Sequence, residues 1–155
     1  MGIGGDFPVF RLNLKTAISP IGGFMVRMIN RTGGVSKKGT AVILDNSVEQ
    51  SVQTSPTDAD EVIGIIYNNG IAEDALVWVV IGGIADVLIQ DGQNATIGYW
   101  VRSSITQGGR ADITLANPPG GGIPQADEHF KELGHCQESK VSGTDVLARC
   151  NIHFN

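Results

Sequence analysis

Charged side chains are scarce in this sequence. Only 17% of its 155 residues are Asp, Glu, Lys or Arg, against about a quarter in typical soluble domains. The 11 basic residues are scattered along the chain and, with 16 acidic ones, leave a formal net charge of −5. Binding to nucleic acid through phosphate neutralisation needs a dense basic patch, so we expect no nucleic-acid partner.

Long apolar runs and cysteines are also few. The longest apolar run, residues 75–81, is far shorter than the ~20 residues of a membrane-spanning helix, so we expect no membrane partner. The first ten residues contain Asp6 and no basic residue ahead of an apolar segment, unlike a signal peptide. Two cysteines, Cys136 and Cys150, do not define a disulfide scaffold, and we expect reduced thiols.

Motifs that carry catalysis are lacking as well. Gly120–Gly122 is followed by Ile-Pro rather than by Lys-Ser/Thr, which excludes a P-loop, and no Gly-x-Ser-x-Gly elbow occurs. Acidic clusters at 58–61 and 73–74 lie in or beside expected loops, where solvated charge is the ordinary explanation. A Ser-His-Asp triad stays open from composition alone. We therefore predict no enzyme and no cofactor.

A zinc site is the one metal centre that the residue types suggest. His135, Cys136, Cys150 and His153 are all zinc-ligand types. If the chain turns near Gly143, however, strand alternation places the two cysteines opposite each other on one face and the two histidines on the other face. Four ligands on two faces cannot reach one ion, so we expect no metal and two buried thiols, with a cross-strand disulfide open on oxidation.

The most informative stretch is Glu61–Ser104. It contains three runs rich in Val and Ile, with Asn-Asn-Gly and Asp-Gly between the runs and Gly-Gly inside the second. Such runs are typical of β-strands, because branched side chains pack well on a pleated surface and the intervening residues form turns. We predict an all-β fold with little or no helix, as a compact β-barrel or β-tulip-like domain.

Nine strands are expected along the main part of the chain. They are placed near 24–29, 39–44, 62–67, 76–81, 84–90, 97–103, 111–115, 129–139 and 145–154. The last two form a terminal hairpin. Residues 45–60 and 117–124 are rich in polar residues, Pro or Gly, and are predicted to be loops.

The expected strands follow a similar order in two parts of the chain. Gly39–Leu44 is followed by Ile63–Ile65 and then by Val77–Ile81, while Gly98–Ser103 is followed by Leu133–His135 and then by a strand ending at Ile152. Two such halves would close a small barrel and remove free sheet edges. Chance similarity among β-rich segments is the alternative.

Residues 1–23 are predicted to be an extended N-terminal arm, ahead of a domain at 24–155. Pro8 and Pro20 restrict any strand here to a sheet edge. The arm carries five apolar side chains that would avoid water: Phe7, Val9, Phe10, Leu12 and Leu14. We predict that these residues bind a partner; a frayed terminus without a role is the alternative.

The segments Glu128–Cys136 and Ala148–Asn155, with Val62–Ile65 and Gly82–Val87, resemble the capsid decoration, or cement, proteins of tailed double-stranded DNA phages. The resemblance covers residues 39–155 as a pattern of strands, glycines and a His-Phe ending. It implies a virion protein on the outer surface of an expanded icosahedral capsid. There a homotrimer would clamp adjacent major capsid protein subunits, with the shell assembled in the host cytoplasm.

Two other functions are considered beside decoration. One is a trimeric tail or fibre module that cuts itself from a spike, which would require a Ser-based site and would yield a shortened product. The other is an enzyme built on a β-barrel, which would need a concave pocket with convergent polar groups and shifted pKa values.

Overall fold

The computed structural model describes residues 15–114 and 131–154. The described chain contains ten strands and no α-helix, which confirms the all-β class. The strands are β1 (Thr16–Ile18), β2 (Gly23–Asn30), β3 (Ala41–Leu44), β4 (Ser51–Thr54), β5 (Gly64–Ile66), β6 (Leu76–Leu88), β7 (Trp100–Ser103), β8 (Ala111–Ile113), β9 (Glu132–Cys136) and β10 (Leu147–Ile152). All ten belong to one hydrogen-bonded sheet.

Five strands form a closed cycle of pairings. β2 pairs with β4 in parallel. The next three pairings, β4 with β3, β3 with β5 and β5 with β6, are antiparallel. The N-terminal part of β6 then returns to β2 in an antiparallel pairing. A cycle of this kind leaves its strands without an unpaired edge.

A second cycle uses the C-terminal part of β6. This part pairs with β10, β10 with β9, β9 with β7, and β7 with β8. A parallel bridge from Ala111 in β8 to Ile89, the residue after β6, completes the cycle. The 13-residue strand β6 is therefore shared by both cycles. Cyclic pairing is the connectivity that a small barrel requires, while the barrel or tulip shape itself stays a prediction.

The two cycles repeat one register. The parallel pair Asn30–Val52 closes the first cycle and Ile89–Ala111 closes the second, a shift of 59 positions at both residues. The same shift relates three register pairs of the β3–β4 hairpin to three of the β7–β8 hairpin: Val42–Thr54 to Val101–Ile113, Ile43–Gln53 to Arg102–Asp112, and Leu44–Val52 to Ser103–Ala111. Chance similarity does not explain an identical register, so the predicted internal repeat is confirmed.

Unusual backbone conformations repeat with the strands. Several residues with positive φ form equivalent pairs in the two halves: Gly33 and Gly92, Gly39 and Gly98, and Gln50 and Gly109, each 59 positions apart, with Asp74 and Asp145 at 71. The spacing lengthens in the last part of each half because the second half contains the long segment between β8 and β9. The duplication thus extends to the turns.

Two buried apolar clusters form the core. The smaller consists of Val42, Val52, Ile66, Val77 and Val79 and belongs to the first cycle. The larger contains most buried residues of the second cycle, together with Met25, Ala41, Ile65 and Val80 from the first. Because β6 contributes to both clusters, packing in one half depends on the same strand as packing in the other.

Two strand predictions are corrected. Gly82–Gly83 was expected to be a turn between two strands, but it lies inside the single strand β6, where Gly23 pairs with Gly83 and Phe24 with Gly82. A Cβ atom on Gly83 would lie 2.5 Å from the Gly22 carbonyl oxygen, so glycine here permits two backbones to approach closely. Residues 45–60 were expected to be one loop but contain β4, whose position follows from its pairing with β3 rather than from its polar sequence.

The predicted arm is described only in part. β1 lies within residues 1–23, and among the described strands it is an edge strand whose one partner is β2. The predicted partner-binding residues Phe7, Val9, Phe10, Leu12 and Leu14 lie outside the described residues. Their role stays a prediction.

Candidate functional site

A β-bulge brings Glu132 and His135 to the same face of β9. Simple alternation would place residues three apart on opposite faces. In the β7–β9 pairing, however, Val101 is opposite Gly134 and Arg102 is opposite Glu132. Leu133 is therefore an extra residue, and a bulge of this kind redirects the side chains that precede it.

His153 joins this pair from the chain that follows β10. His135 pairs with Asn151, and His153, two residues beyond Asn151, lies on the same side of the extended chain. The His153 backbone N–H donates to the Leu133 carbonyl oxygen at 3.0 Å, which holds the end of β10 against β9. We call Glu132, His135 and His153 the His-Glu cluster.

The His-Glu cluster combines a buried acid with accessible imidazoles. One Glu132 carboxylate oxygen lies 3.2 Å from His153 Nε2 and 3.9 Å from His135 Nδ1. The Glu132 side chain is 3% exposed, whereas those of His135 and His153 are 37% and 46% exposed. Trp100 packs edge-on against His135 with ring centroids 4.9 Å apart. Trp100 thus covers one side of the His135 ring, while both imidazoles stay reachable from solvent.

The two cysteines lie on the other face of the same hairpin. Cys136 pairs directly with Cys150, and both are free thiols and buried, as the sequence predicts. Hydrogen bonding with Cys136 and burial raise the pKa of Cys150, so this thiol stays protonated. The two histidines lie together on the opposite face, with ring centroids 5.7 Å apart. The predicted separation of cysteines from histidines is confirmed.

The acidic clusters singled out in the sequence form ion pairs and backbone contacts. Asp58 accepts from Lys131 Nζ at 2.9 Å and from Arg102 Nη2 at 3.5 Å. Glu73 accepts from the backbone N–H groups of Gly33 and Gly34. Such contacts indicate structural roles for these carboxylates, since each has partners of its own rather than a neighbouring acid.

A second charged group was not anticipated from the sequence. Asp145 contacts Lys37 Nζ at 2.6 Å and Arg110 Nη2 at 2.5 Å, and Arg110 also donates to Asp91 at 2.9 Å. Hydrogen bonds from Lys37 and Arg110 hold the pKa of Asp145 below its usual range. The backbone N–H of Asp145 and the side chain of Gln107 likewise lower the pKa of Asp91. Lys37 comes from the first half of the chain, so this network joins the two halves.

Large apolar side chains are exposed near the sheet edge at β1. Ile18 is 68% exposed and pairs with Phe24, which is 44% exposed. Among the described strands β1 has a single partner, β2, so β1 is the edge of the sheet in this part of the chain. An edge of this type is able to accept another strand or segment.

Comparison with models of known protein families and with curated proteins gives no match. Within residues 15–114 and 131–154, no helix is long and apolar enough to span a membrane.

The sequence located parts of these sites only. It placed His135 and His153 on one face of the hairpin but did not identify Glu132, because residues three apart in a regular strand lie on opposite faces. Gly134 gave a weak signal, since glycine within a strand often marks a bulge. Lys37, Arg110 and Asp145 are distant in sequence and share no spacing that would reveal their contact.

Proposed function

We propose that this protein is a capsid decoration protein of a tailed double-stranded DNA phage. In this role it binds the outer surface of an expanded icosahedral capsid and clamps adjacent major capsid protein subunits. The sequence resemblance supplies the identity of the partner. Its homotrimeric state and its location on the virion are parts of the same proposal.

The observation that carries the proposal is the exposed edge at β1. Ile18 and Phe24 are large, apolar, exposed and adjacent in register. The predicted arm includes β1, and its five apolar residues precede β1 in the sequence. Together they form a candidate docking region in which backbone groups of β1 provide hydrogen bonds and the side chains provide apolar contact.

Other features support a structural rather than a chemical role. Among residues 15–114 and 131–154, no hydrogen bond links a serine or cysteine to a histidine, as a nucleophile and its base would require. Three acids of the 58–61 and 73–74 clusters, Asp58, Glu73 and Asp74, have structural partners. A decoration protein acts through many weak contacts, because multivalency makes a trimer bind more tightly than each subunit alone.

Co-sedimentation with expanded and unexpanded shells tests the proposal. We expect saturable binding to expanded shells only, at a ratio set by the capsid lattice. Equal binding to both shells, or binding to neither, would contradict it. Recovery of the protein in tail fractions, with a mass below that of the full chain, would instead favour the self-cleaving fibre module.

Substitutions at the β1 edge test whether this region binds the capsid, as opposed to any exposed apolar side chain having the same effect on binding. Ile18→Ser combined with Phe24→Ser should weaken binding to expanded shells at least tenfold, because both side chains lose their apolar contact. Val141→Ser is the matched control, since Val141 is 83% exposed but lies in the β9–β10 connection. If the control lost as much binding as the edge variant, β1 would not be the docking region.

A further inference from the structure

We propose that the His-Glu cluster binds one zinc ion through a nitrogen of His135, a nitrogen of His153 and a carboxylate oxygen of Glu132. This inference is independent of capsid binding. Two imidazoles and one carboxylate are a zinc-ligand set that leaves a fourth position for water or another ligand.

The distances fit this coordination. One ligand atom from each of the three side chains lies within 4.8 Å of the others. Zinc bonds of about 2.0–2.2 Å in tetrahedral geometry place two ligand atoms roughly 3.3 Å apart. The Glu132 to His153 separation of 3.2 Å already has this value, and that from Glu132 to His135 is 3.9 Å. Side-chain shifts that shorten the longer of these separations would therefore complete the site.

The surroundings favour an ion at this position. The carboxylate of Glu132 is buried while both imidazoles reach solvent, which gives the ion a path of entry and a fixed anionic ligand at its inner side. Trp100 limits the orientations of His135, and the bulge at Leu133 fixes the backbone that carries Glu132. Ligands held by packing lose less conformational freedom when the metal binds.

Comparison of the two halves shows that the strand pairing at His135 does not need a histidine at this position. In the first half Ile65 pairs with Val80, and in the second half His135 pairs with Asn151 at the equivalent positions. The same strand arrangement therefore forms with apolar side chains there. Metal binding would explain why two accessible imidazoles lie beside a buried carboxylate at this place in the second half.

Zinc titration of the full-length, tag-free protein, after chelator treatment and buffer exchange, tests the site. Native mass spectrometry should show one zinc ion per chain, and competition with a zinc-binding dye should give a saturable affinity. Glu132→Gln and His153→Ala should each weaken zinc binding at least tenfold. Glu138→Gln is the matched control, because Glu138 lies in the next turn and pairs with Lys140; its affinity should be unchanged.

Cobalt(II) distinguishes this site from the cysteine pair. The His-Glu cluster should give a cobalt spectrum without sulfur-to-metal charge transfer, since thiolates are absent from the ligand set. Circular dichroism should confirm that His153→Ala, a change at a half-exposed side chain, keeps the fold. Failure of the wild-type protein to bind zinc, unchanged affinity in both cluster variants, or a thiolate spectrum would each overturn the proposal.

Discussion

Asp145 illustrates how a single residue connects the two halves of the molecule. Its φ of 56° places it in the left-handed region, which Asp and Asn tolerate better than most residues. This conformation accompanies contacts with Lys37 from the first half and Arg110 from the second. The equivalent residue in the first half, Asp74, has φ 65° and pairs with Arg31. The same turn occurs in both halves, but of these two aspartates Asp145 contacts a residue of the other half and Asp74 pairs within its own half.

Replacing Asp145 with Asn should destabilise the protein in a pH-dependent way. Lys37 and Arg110 lower the pKa of Asp145 in the folded state. The stabilising contribution is therefore present above the ordinary carboxyl pKa of 3.8 and is lost as the pH falls through the lower folded value. Urea unfolding should show a lower free energy of unfolding for the variant at pH 7.

The same variant should differ little from the wild type at the lowest pH at which both remain folded. Asn is compatible with the left-handed backbone, so the substitution tests the charge and not the turn. Asp60→Asn is the control, because Asp60 is exposed and makes no ion pair with the described residues. A pH-independent loss in the Asp145 variant would contradict the electrostatic explanation.

At the scale of strands, each half contains a glycine at a position where strand packing leaves no room for a side chain. Gly64 in β5 and Gly134 in β9 occupy equivalent positions, opposite Val42 and Val101. A Cβ atom on Gly134 would lie 1.9 Å from the Asn151 carbonyl oxygen, and one on Gly64 would lie 2.4 Å from Val79 Cγ1 and 2.8 Å from the Val80 carbonyl oxygen. Both strands thus need glycine because the neighbouring strand passes too close for any side chain.

We expect Gly64→Ala and Gly134→Ala each to destabilise the fold by about 1–3 kcal/mol or more, since the nearby backbone atoms cannot yield as a flexible side chain can. The larger effect should occur at Gly134, where φ is also 145°. Gly34→Ala is the matched control, because a Cβ atom on Gly34 would have no other atom within 4 Å and the φ of this residue is not positive. Thermal or urea unfolding of the three variants provides the measurement. A mild effect at Gly134 comparable with that at Gly34 would show that β9 and β10 are less closely packed than described.

For the molecule as a whole, the shared strand β6 determines cooperativity. Its first part belongs to the first cycle and its second part to the second. Neither cycle closes without β6. If one half unfolds and β6 loses its structure, the other half therefore loses one of its strands. We therefore expect the two halves to unfold together despite their origin as copies of one pattern.

The two tryptophans report on the two halves separately. Trp78 lies in the first part of β6 beneath Arg27, with 5.5 Å from the guanidinium carbon to the ring centroid, and Trp100 lies in β7 beside His135. Single-tryptophan proteins made by Trp78→Phe or Trp100→Phe should have coincident fluorescence and circular dichroism transitions in urea. Because each substitution can change stability, the fluorescence midpoint of a variant is compared with the circular dichroism midpoint of the same variant. Separate midpoints for fluorescence and circular dichroism would contradict a single cooperative unit.

The sequence by itself determined the all-β class, most strand positions and the separation of Cys136 from His135. These features depend on local composition and on the two-residue period of a strand, both of which can be read along the chain. The order of strands in the two halves was also visible, because glycines and branched residues repeat.

Only the tertiary structure decided which strands share an edge and which residues meet. β6 is continuous through Gly82 and Gly83 because β2 crosses closely there, a contact that local sequence cannot distinguish from a turn. Glu132 reaches His135 because the pairing with β7 contains an extra residue, and one such residue reverses the facing of a side chain. Sites built from bulges and from distant segments follow from pairing register, which is a property of two strands and not of either sequence alone.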